Sequence, residues 1–281
     1  MRVATWNVNS IRTRLGRVLD WIDAHEPDVL ALQETKCSDA QWTAQWTSEQ
    51  GVSMCDDAAD PFAARGYEVA HHGVDHRNGV AIVSRVGLDD VRRGFAGPSS
   101  PPYDEPRLIT ATCGGIRIQS VYVPNGRELD DPHYLYKLVW LERLRAELAV
   151  PLDAGHPTLS LGDFNVAPAD ADIYDPKRWR RRTHASPPER AAIAALLELG
   201  LCDVTRAHLP DDGVFTWWGY RPGQFDLNRG LRIDLALADE RLAEQVERVW
   251  IDRDERAGER PSDHAPLVVD LRAPTRSRGG V

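Results

Sequence analysis

Leu108-Ile109-Thr110-Ala111-Thr112-Cys113-Gly114-Gly115-Ile116-Arg117-Ile118-Gln119-Ser120-Val121-Tyr122-Val123 decides the fold class. Two strand-like runs, 108–113 and 116–123, flank a glycine pair that can take the positive φ of a tight hairpin turn. A hairpin supplies antiparallel neighbours, which excludes a simple βαβ repeat. Downstream, Pro132 and the spacing of Leu135, Leu138, Leu141, Leu144 and Leu148 predict a helix, and 158–161 a strand stopped by Gly162. Ser186-Pro187-Pro188-Glu189 reads as a helix start: a capping hydroxyl, proline in the first turn and glutamate three residues on. Gly200 ends that helix. Upstream, 3–6 is a strand, and Ile11, Leu15, Val18, Leu19 and Ile22 recur at helical spacing behind Asn9 or Ser10 as N-cap. Segments 29–33, 67–70 and 80–84 are strands, and 231–237, 246–251 and 266–271 close the chain.

Strands outnumber helices, so an α/β fold with mixed sheets and helices outside is expected. No Pro/Gly/Ser-rich linker divides residues 1–271, which predicts a single domain. Residues 272–281 read as a disordered tail. Segment 38–65 reads as a long acidic insertion with Trp42, Trp46 and Cys55, five acids standing against Arg65.

The 281-residue chain has a formal net charge of −9, which argues against non-specific coating of nucleic acid or an anionic membrane. Of its 34 basic residues only Lys36, Lys137 and Lys177 are lysines, a bias that genomic base composition explains as simply as phosphate binding does. The basic charge is local: Lys177, Arg178, Arg180, Arg181, Arg182 and Arg190 face Glu189 alone across 176–190. That stretch is either a phosphate-tracking segment or a solvated loop. Cys37, Cys55, Cys113 and Cys202 form no CxxC pair, which disfavours a cysteine zinc site and fits a reducing compartment. The N-terminus lacks the apolar run of a signal peptide, and no 18-residue apolar stretch exists. A cytoplasmic protein without membrane contact is expected.

Polar residues gather where strands end. Asn7 and Asn9 follow the first strand, Glu34 the second, Tyr122 and Asn125 the hairpin, and Asp163 and Asn165 the run 159–162. Asp263 and His264 precede the last strand. A lone Asp or Asn after a strand is usually a turn former. Asp234 is different, because it alternates with Ile233 and Leu235 and burying it unpaired would be costly. It needs a histidine, an arginine or a metal as partner.

Several motifs resemble the exonuclease III family. They are Leu32-Gln33-Glu34-Thr35-Lys36, Val121-Tyr122-Val123-Pro124-Asn125-Gly126, Leu161-Gly162-Asp163-Phe164-Asn165, Asn228-Arg229-Gly230-Leu231-Arg232-Ile233-Asp234 and Pro261-Ser262-Asp263-His264-Ala265-Pro266. That family lies in the deoxyribonuclease I-like endonuclease/exonuclease/phosphatase superfamily. The motifs stand in family order from Arg2 to Leu271. The resemblance implies a four-layer α/β sandwich and a cytoplasmic enzyme of bacterial type acting on the chromosome. It also implies Mg²⁺-dependent hydrolysis of DNA phosphodiesters, with Mn²⁺ as the alternative ion. Expected activities are incision 5′ to abasic sites, 3′→5′ exonuclease action and removal of 3′ phosphates. Expected partners are duplex DNA with abasic sites, nicks or blocked 3′ ends, bound by a monomer.

By the same resemblance Glu34 is the principal metal ligand, with Asn9 and Asp263 nearby. Asp163 positions and deprotonates the attacking water, and Asn165 orients that water or a phosphate oxygen. Asp234 holds His264 toward the phosphate, and Asn7 and Tyr122 supply further hydrogen bonds. The group that delivers the proton stays open among Tyr122, Asp163 and His264. Trp217, Leu231 and Ile233 are placed around a pocket for a flipped abasic sugar, with core packing as the alternative for Trp217-Trp218. Arg127, Arg221, Lys177, Arg178, Arg180, Arg181 and Arg182 are placed on DNA, and Arg232 either on phosphate or on a carboxylate. The rivals are another phosphoesterase of the superfamily, acting on RNA or inositol phosphates, and a non-catalytic nucleic-acid-binding relative. The latter needs a broken core position, and none is broken.

Overall fold

The computed structural model describes residues 1–42, 60–97 and 105–272. Strands β1 (Arg2–Asn7), β2 (Val29–Gln33), β3 (Glu68–His72), β4 (Val80–Ser84), β11 (Val246–Ile251) and β12 (Leu267–Leu271) form one sheet, in the order β11-β12-β1-β2-β4-β3. Strands β5 (Asp89–Arg93), β6 (Leu108–Cys113), β7 (Ile116–Tyr122), β8 (Thr158–Asp163), β9 (Leu201–Asp203) and β10 (Asp234–Asp239) form the other, in the order β5-β6-β7-β8-β10-β9. Each sheet has one parallel pair at its centre, β1 with β2 and β7 with β8. Parallel neighbours need a crossover, and a helix supplies each one: α1 (Ile11–His25) between β1 and β2, α2 (Pro132–Asp153) between β7 and β8. Helix α3 (Pro187–Leu197) packs beside α2.

Side chains alternate across each strand and so build two kinds of core. Val29 and Ala31 of β2 face Leu159 and Leu161 of β8 between the sheets, while Leu30 and Leu32 face outward onto Trp21 and Ile22 of α1. On the far side Val121, Leu235 and Leu237 pack under Trp140, Leu141, Leu144 and Ile193. The result is the expected four-layer sandwich, helix on sheet on sheet on helix.

Several local expectations are corrected. The run 231–237 is not a strand throughout: β10 begins at Asp234, and Leu231 makes only isolated bridges to Ile173 and Trp217. Gly162 lies within β8 rather than ending it. Strands β5 and β9 escape the pattern because one is a charged, exposed edge and the other has three residues. Leu135 of α2 is 65% exposed, and Tyr134, Tyr136, Lys137 and Trp140 fill the buried face instead. Ser10 stands at the N-cap of α1 without making a side-chain cap bond. The Ser186–Glu189 capping box forms as expected.

The described ends of the 38–65 insertion are fastened to the core. Trp42 is buried against His71 (ring centroids 4.4 Å apart) and Phe62 (5.7 Å). Trp46, Cys55 and the tail 273–281 lie outside the described residues.

Candidate active site

Topology and pleat together assemble the site. The C-terminal ends of β1, β2, β7 and β8 point the same way within their parallel pairs. Strand β10 runs antiparallel to β8, pairing Asp234 with Asp163, and β12 runs antiparallel to β1. The starts of those two strands therefore reach the same end of the sandwich. Parity then aims the side chains. Val3, Ala31, Ile118, Leu161 and Ala236 face the inter-sheet core. An even number of residues away on the same strands stand Asn7, Gln33, Tyr122, Asp163 and Asp234. The alternation that builds the core thus turns each terminal polar group into the cleft. Gly162 lets Asp163 reach it: a Cβ there would lie 2.0 Å from the Val121 carbonyl of β7.

The polar groups form one continuous chain of contacts. The Asn7 amide donates to Glu34 Oε1 and to Asp163 Oδ2, both at 2.9 Å. Asp163 Oδ1 accepts the backbone N–H of Asn165 at 2.9 Å. Asp163 Oδ2 lies 3.7 Å from His264 Nε2, and His264 Nδ1 lies 2.8 Å from Asp234 Oδ2. Asp234 thus has the histidine partner that its place among apolar neighbours demands. Its other oxygen, Oδ1, is buried without a partner among the described residues.

Charge and burial set the protonation states. Burial pushes the Asp163 carboxyl up to about 7, against the pull of His264 and with Asp234 and Glu34 adding to the rise. Burial alone would lower His264, but the Asp234 and Asp163 carboxylates carry it up to about 10. His264 is therefore an imidazolium at neutral pH. Tyr122 is raised well above the ordinary phenol range by burial and by the neighbouring Glu34 carboxylate, so its hydroxyl stays protonated. The Arg107 guanidinium lies 4.6 Å over the Tyr122 ring.

Around this chain sit residues to which the sequence reading gave no role. Lys36 Nζ lies 2.8 Å from Glu34 Oε2 and also donates to Asn9 Oδ1. Arg14 of α1 donates to Val8, Asn9, Arg260 and Pro261 carbonyls, tying the Asn9 loop to the Asp263 loop. Helical periodicity marked only the apolar face of α1, so Arg14 carried no signal. His184 is buried with a left-handed backbone (φ 82°), and its Nε2 lies 3.3 Å from the Asn125 amide.

A divalent cation suits the Glu34 end. Among the described residues no three His, Cys, Asp or Glu side chains are grouped for a closed metal cage. Mg²⁺ does not need one, since one or two carboxylates with water and phosphate suffice. Glu34 and Asn9 oxygens already share one cation, the Lys36 ammonium. Asp263, expected near the metal, lies beside Asn9: Oδ1 accepts Asn9 Nδ2 at 3.0 Å and Oδ2 accepts Trp217 Nε1 at 3.0 Å.

The residues expected on DNA divide into three groups. Lys177, Arg178, Arg180, Arg181 and Arg182 are all exposed, as are Arg127 and Arg221. Trp217, Leu231 and Ile233 do come together with Ile173 and Trp179, but Leu231 and Ile233 are fully buried and Trp218 is core. Of the two places expected for Arg232, the carboxylate one holds and the phosphate one is corrected. Arg232 is 1% exposed, with Nε 2.6 Å from Asp172 Oδ1 and Nη1 2.8 Å from Asp203 Oδ2. A guanidinium so enclosed has no fork left for a phosphate.

Comparison with known proteins gives the family and the fold. The model of the Endonuclease/Exonuclease/phosphatase family matches residues 4–264. The chain is 33% identical to exodeoxyribonuclease III of Haemophilus influenzae over 284 residues, covering 97% of this chain and 100% of the relative. It superposes on the 3′ phosphatase NExo from Neisseria, bound to a product DNA hairpin, with TM-score 0.87 and 37% identity. An AP endonuclease from Archaeoglobus fulgidus gives TM-score 0.86, also at 37% identity. Both superpositions cover 97% of this chain and 100% of the other.

Proposed function

This chain belongs to the endonuclease/exonuclease/phosphatase family as a hydrolase acting on DNA, and from that premise we propose that it is a Mg²⁺-dependent repair phosphodiesterase. The proposed activities are incision 5′ to abasic sites, 3′→5′ exonuclease action and removal of 3′ phosphates. One observation carries the reading: the unbroken chain Glu34–Asn7–Asp163–His264–Asp234 at the end of both sheets.

A phosphodiester is anionic, so hydrolysis needs its charge offset, a base for water and donors for the developing oxyanion. Asp163, buried and raised toward neutral, accepts the proton of the attacking water. The Asn165 N–H fixes the carboxylate, and the Asn165 side chain orients water or phosphate. His264, held by Asp234, donates toward a phosphate oxygen. The protonated Tyr122 hydroxyl donates toward the leaving oxygen, and Asn7 keeps Glu34 and Asp163 in register. Glu34 with Asn9 would hold the metal, and Asp263 would hold Asn9. The family is generally divalent-metal dependent, and the ion when bound neutralises phosphate charge and acidifies water.

Binding is assigned to the exposed cations. Lys177, Arg178, Arg180, Arg181 and Arg182 follow the phosphates, with Arg127 and Arg221 on loops flanking the site. Trp217, backed by the buried Leu231 and Ile233, presents an apolar wall for a sugar that lacks its base. The proposed substrates are duplexes with abasic sites, nicks or blocked 3′ ends, bound by a monomer.

The test is cleavage of an abasic duplex and a 3′-phosphorylated nicked duplex beside RNA and inositol phosphates, with Mg²⁺ or EDTA. Cleavage of the DNA substrates in Mg²⁺ alone is expected. Preference for RNA or inositol phosphates, or full activity in EDTA, would overturn the proposal.

A further inference from the structure

Three site-facing segments share an anchor that none of the steps above uses. Asn165, Arg127 and His184 each have a left-handed backbone, at φ 52°, 58° and 82°. That conformation is uncommon for non-glycine residues, although Asn and His take it more readily than Arg. Beneath all three lies Lys137 of α2, a lysine with no solvent exposure. Its Nζ donates to the Asn165 carbonyl at 2.7 Å and the Asn125 carbonyl at 3.2 Å.

The counter-charge is Glu189 at the start of α3, equally buried. Glu189 Oε1 also accepts the His184 N–H at 2.8 Å and the Thr183 hydroxyl at 2.7 Å. The Thr183 hydroxyl lies 2.8 Å from the Asn125 carbonyl as well. Gly126 leaves room for this, since a Cβ there would meet Thr183 Oγ1 at 2.7 Å and Lys137 Cδ at 3.1 Å.

We propose that Lys137, paired with Glu189, is a positioning residue that sets the Asn125–Arg127 loop, Asn165 and the His184 turn in one fixed relation at the mouth of the cleft. A neutral side chain would leave the buried Asn165 carbonyl without the Lys137 donor and the Asn125 carbonyl with the Thr183 hydroxyl alone, freeing the three loops to relax separately. The inference rests on Asn165 facing the substrate. Glu34 stands on the other sheet, so the metal end is untouched by the clamp.

The experiment uses the full-length chain with Lys137→Met and Glu189→Gln together, which removes both charges and avoids a buried lone ion. Three quantities are read well below the melting temperature: kcat on the 3′-phosphorylated nicked duplex, the Mg²⁺ concentration for half-maximal rate, and hydrogen exchange by segment. A tenfold or larger fall in kcat is expected with the Mg²⁺ requirement within twofold of wild type. Exchange is expected to quicken at 123–127, 164–167 and 183–186. A folded double variant with kcat within twofold and unchanged exchange would overturn the proposal. So would a uniform rise in exchange with kcat intact, the mark of a merely structural pair. If that double variant does not fold, Lys137→Gln with Glu189→Gln is read by the same criteria. Should wild type cut none of the DNA substrates, the functional reading fails, and hydrogen exchange alone decides the clamp.

Discussion

Asn7 uses both ends of its amide in the site: Nδ2 bridges two carboxylates, and Oδ1 accepts the Asn9 N–H at 3.0 Å. A carboxylate at that position would put a third negative charge against Glu34 and Asp163. Such links are invisible in sequence, where Asn7 reads as a turn former, whereas the need of Asp234 for a partner was legible from its apolar neighbours, and the resemblance named His264. The choice between phosphate and carboxylate for Arg232 stayed open in sequence because its partners lie 60 and 29 residues away. Two expectations follow at this scale. Glu34→Ala should raise the Mg²⁺ concentration for half-maximal rate about tenfold or more; an unchanged requirement would remove Glu34 from the metal site. Asp234→Asn removes the charge that carries His264 up to about 10. The imidazolium would then lose its proton at lower pH, so the basic limb of the kcat/KM profile should move toward neutrality. A basic limb left in place would show that His264 does not act as the charged donor.

Elements were legible where a short apolar run is buried on both faces and bounded by turn residues, as in β2 and β4. They were hidden where the chain lies at an edge, as in β5, and where loop residues reach the site through tertiary contacts alone, as with Lys36 and His184. The segment after β2 is braced by His71 of β3, whose Nδ1 lies 2.7 Å from Asp39 Oδ1 and Nε2 2.8 Å from Thr35 Oγ1. Burial holds the His71 imidazole down at about 4, against the pull of Asp39. Folded His71 is therefore neutral, while the unfolded residue takes up a proton below its ordinary pKa of about 6.5. The stability from keeping it neutral is complete above that value and drains away as pH falls toward 4. Urea midpoints measured from pH 7.5 to 4.5 should fall more steeply for wild type than for His71→Gln. Parallel slopes would contradict the neutral, buried imidazole.

Across the whole molecule the net charge of −9 is an average over a polarised surface. Glu34, Asp163, Asp234 and Asp263 concentrate negative charge in the cleft, while the exposed segment from Lys177 to Arg182 carries positive charge. The sign of the total therefore excludes non-specific coating and leaves local, salt-sensitive binding open. Each phosphate contact adds about 0.9 to the slope of log affinity against log salt. Neutralising Lys177, Arg178, Arg180, Arg181 and Arg182 together should reduce that slope by roughly 2 or more. Arg232→Met should leave the slope alone and cost about 1.5–3 kcal/mol of stability, because Asp172 loses its buried arginine and keeps only the partly exposed Arg206. An unchanged slope in the first variant would move the DNA path elsewhere.

The central claim is that the polar ends of both sheets form a single hydrolytic site in which Asp163 handles the proton of water. It is tested most directly by kcat and Kd of Asp163→Asn on a 3′-phosphorylated nicked duplex in Mg²⁺, beside wild type. The account requires kcat to fall by roughly three orders of magnitude or more, with Kd within about threefold. A variant that binds normally and turns over within tenfold of wild type would contradict it.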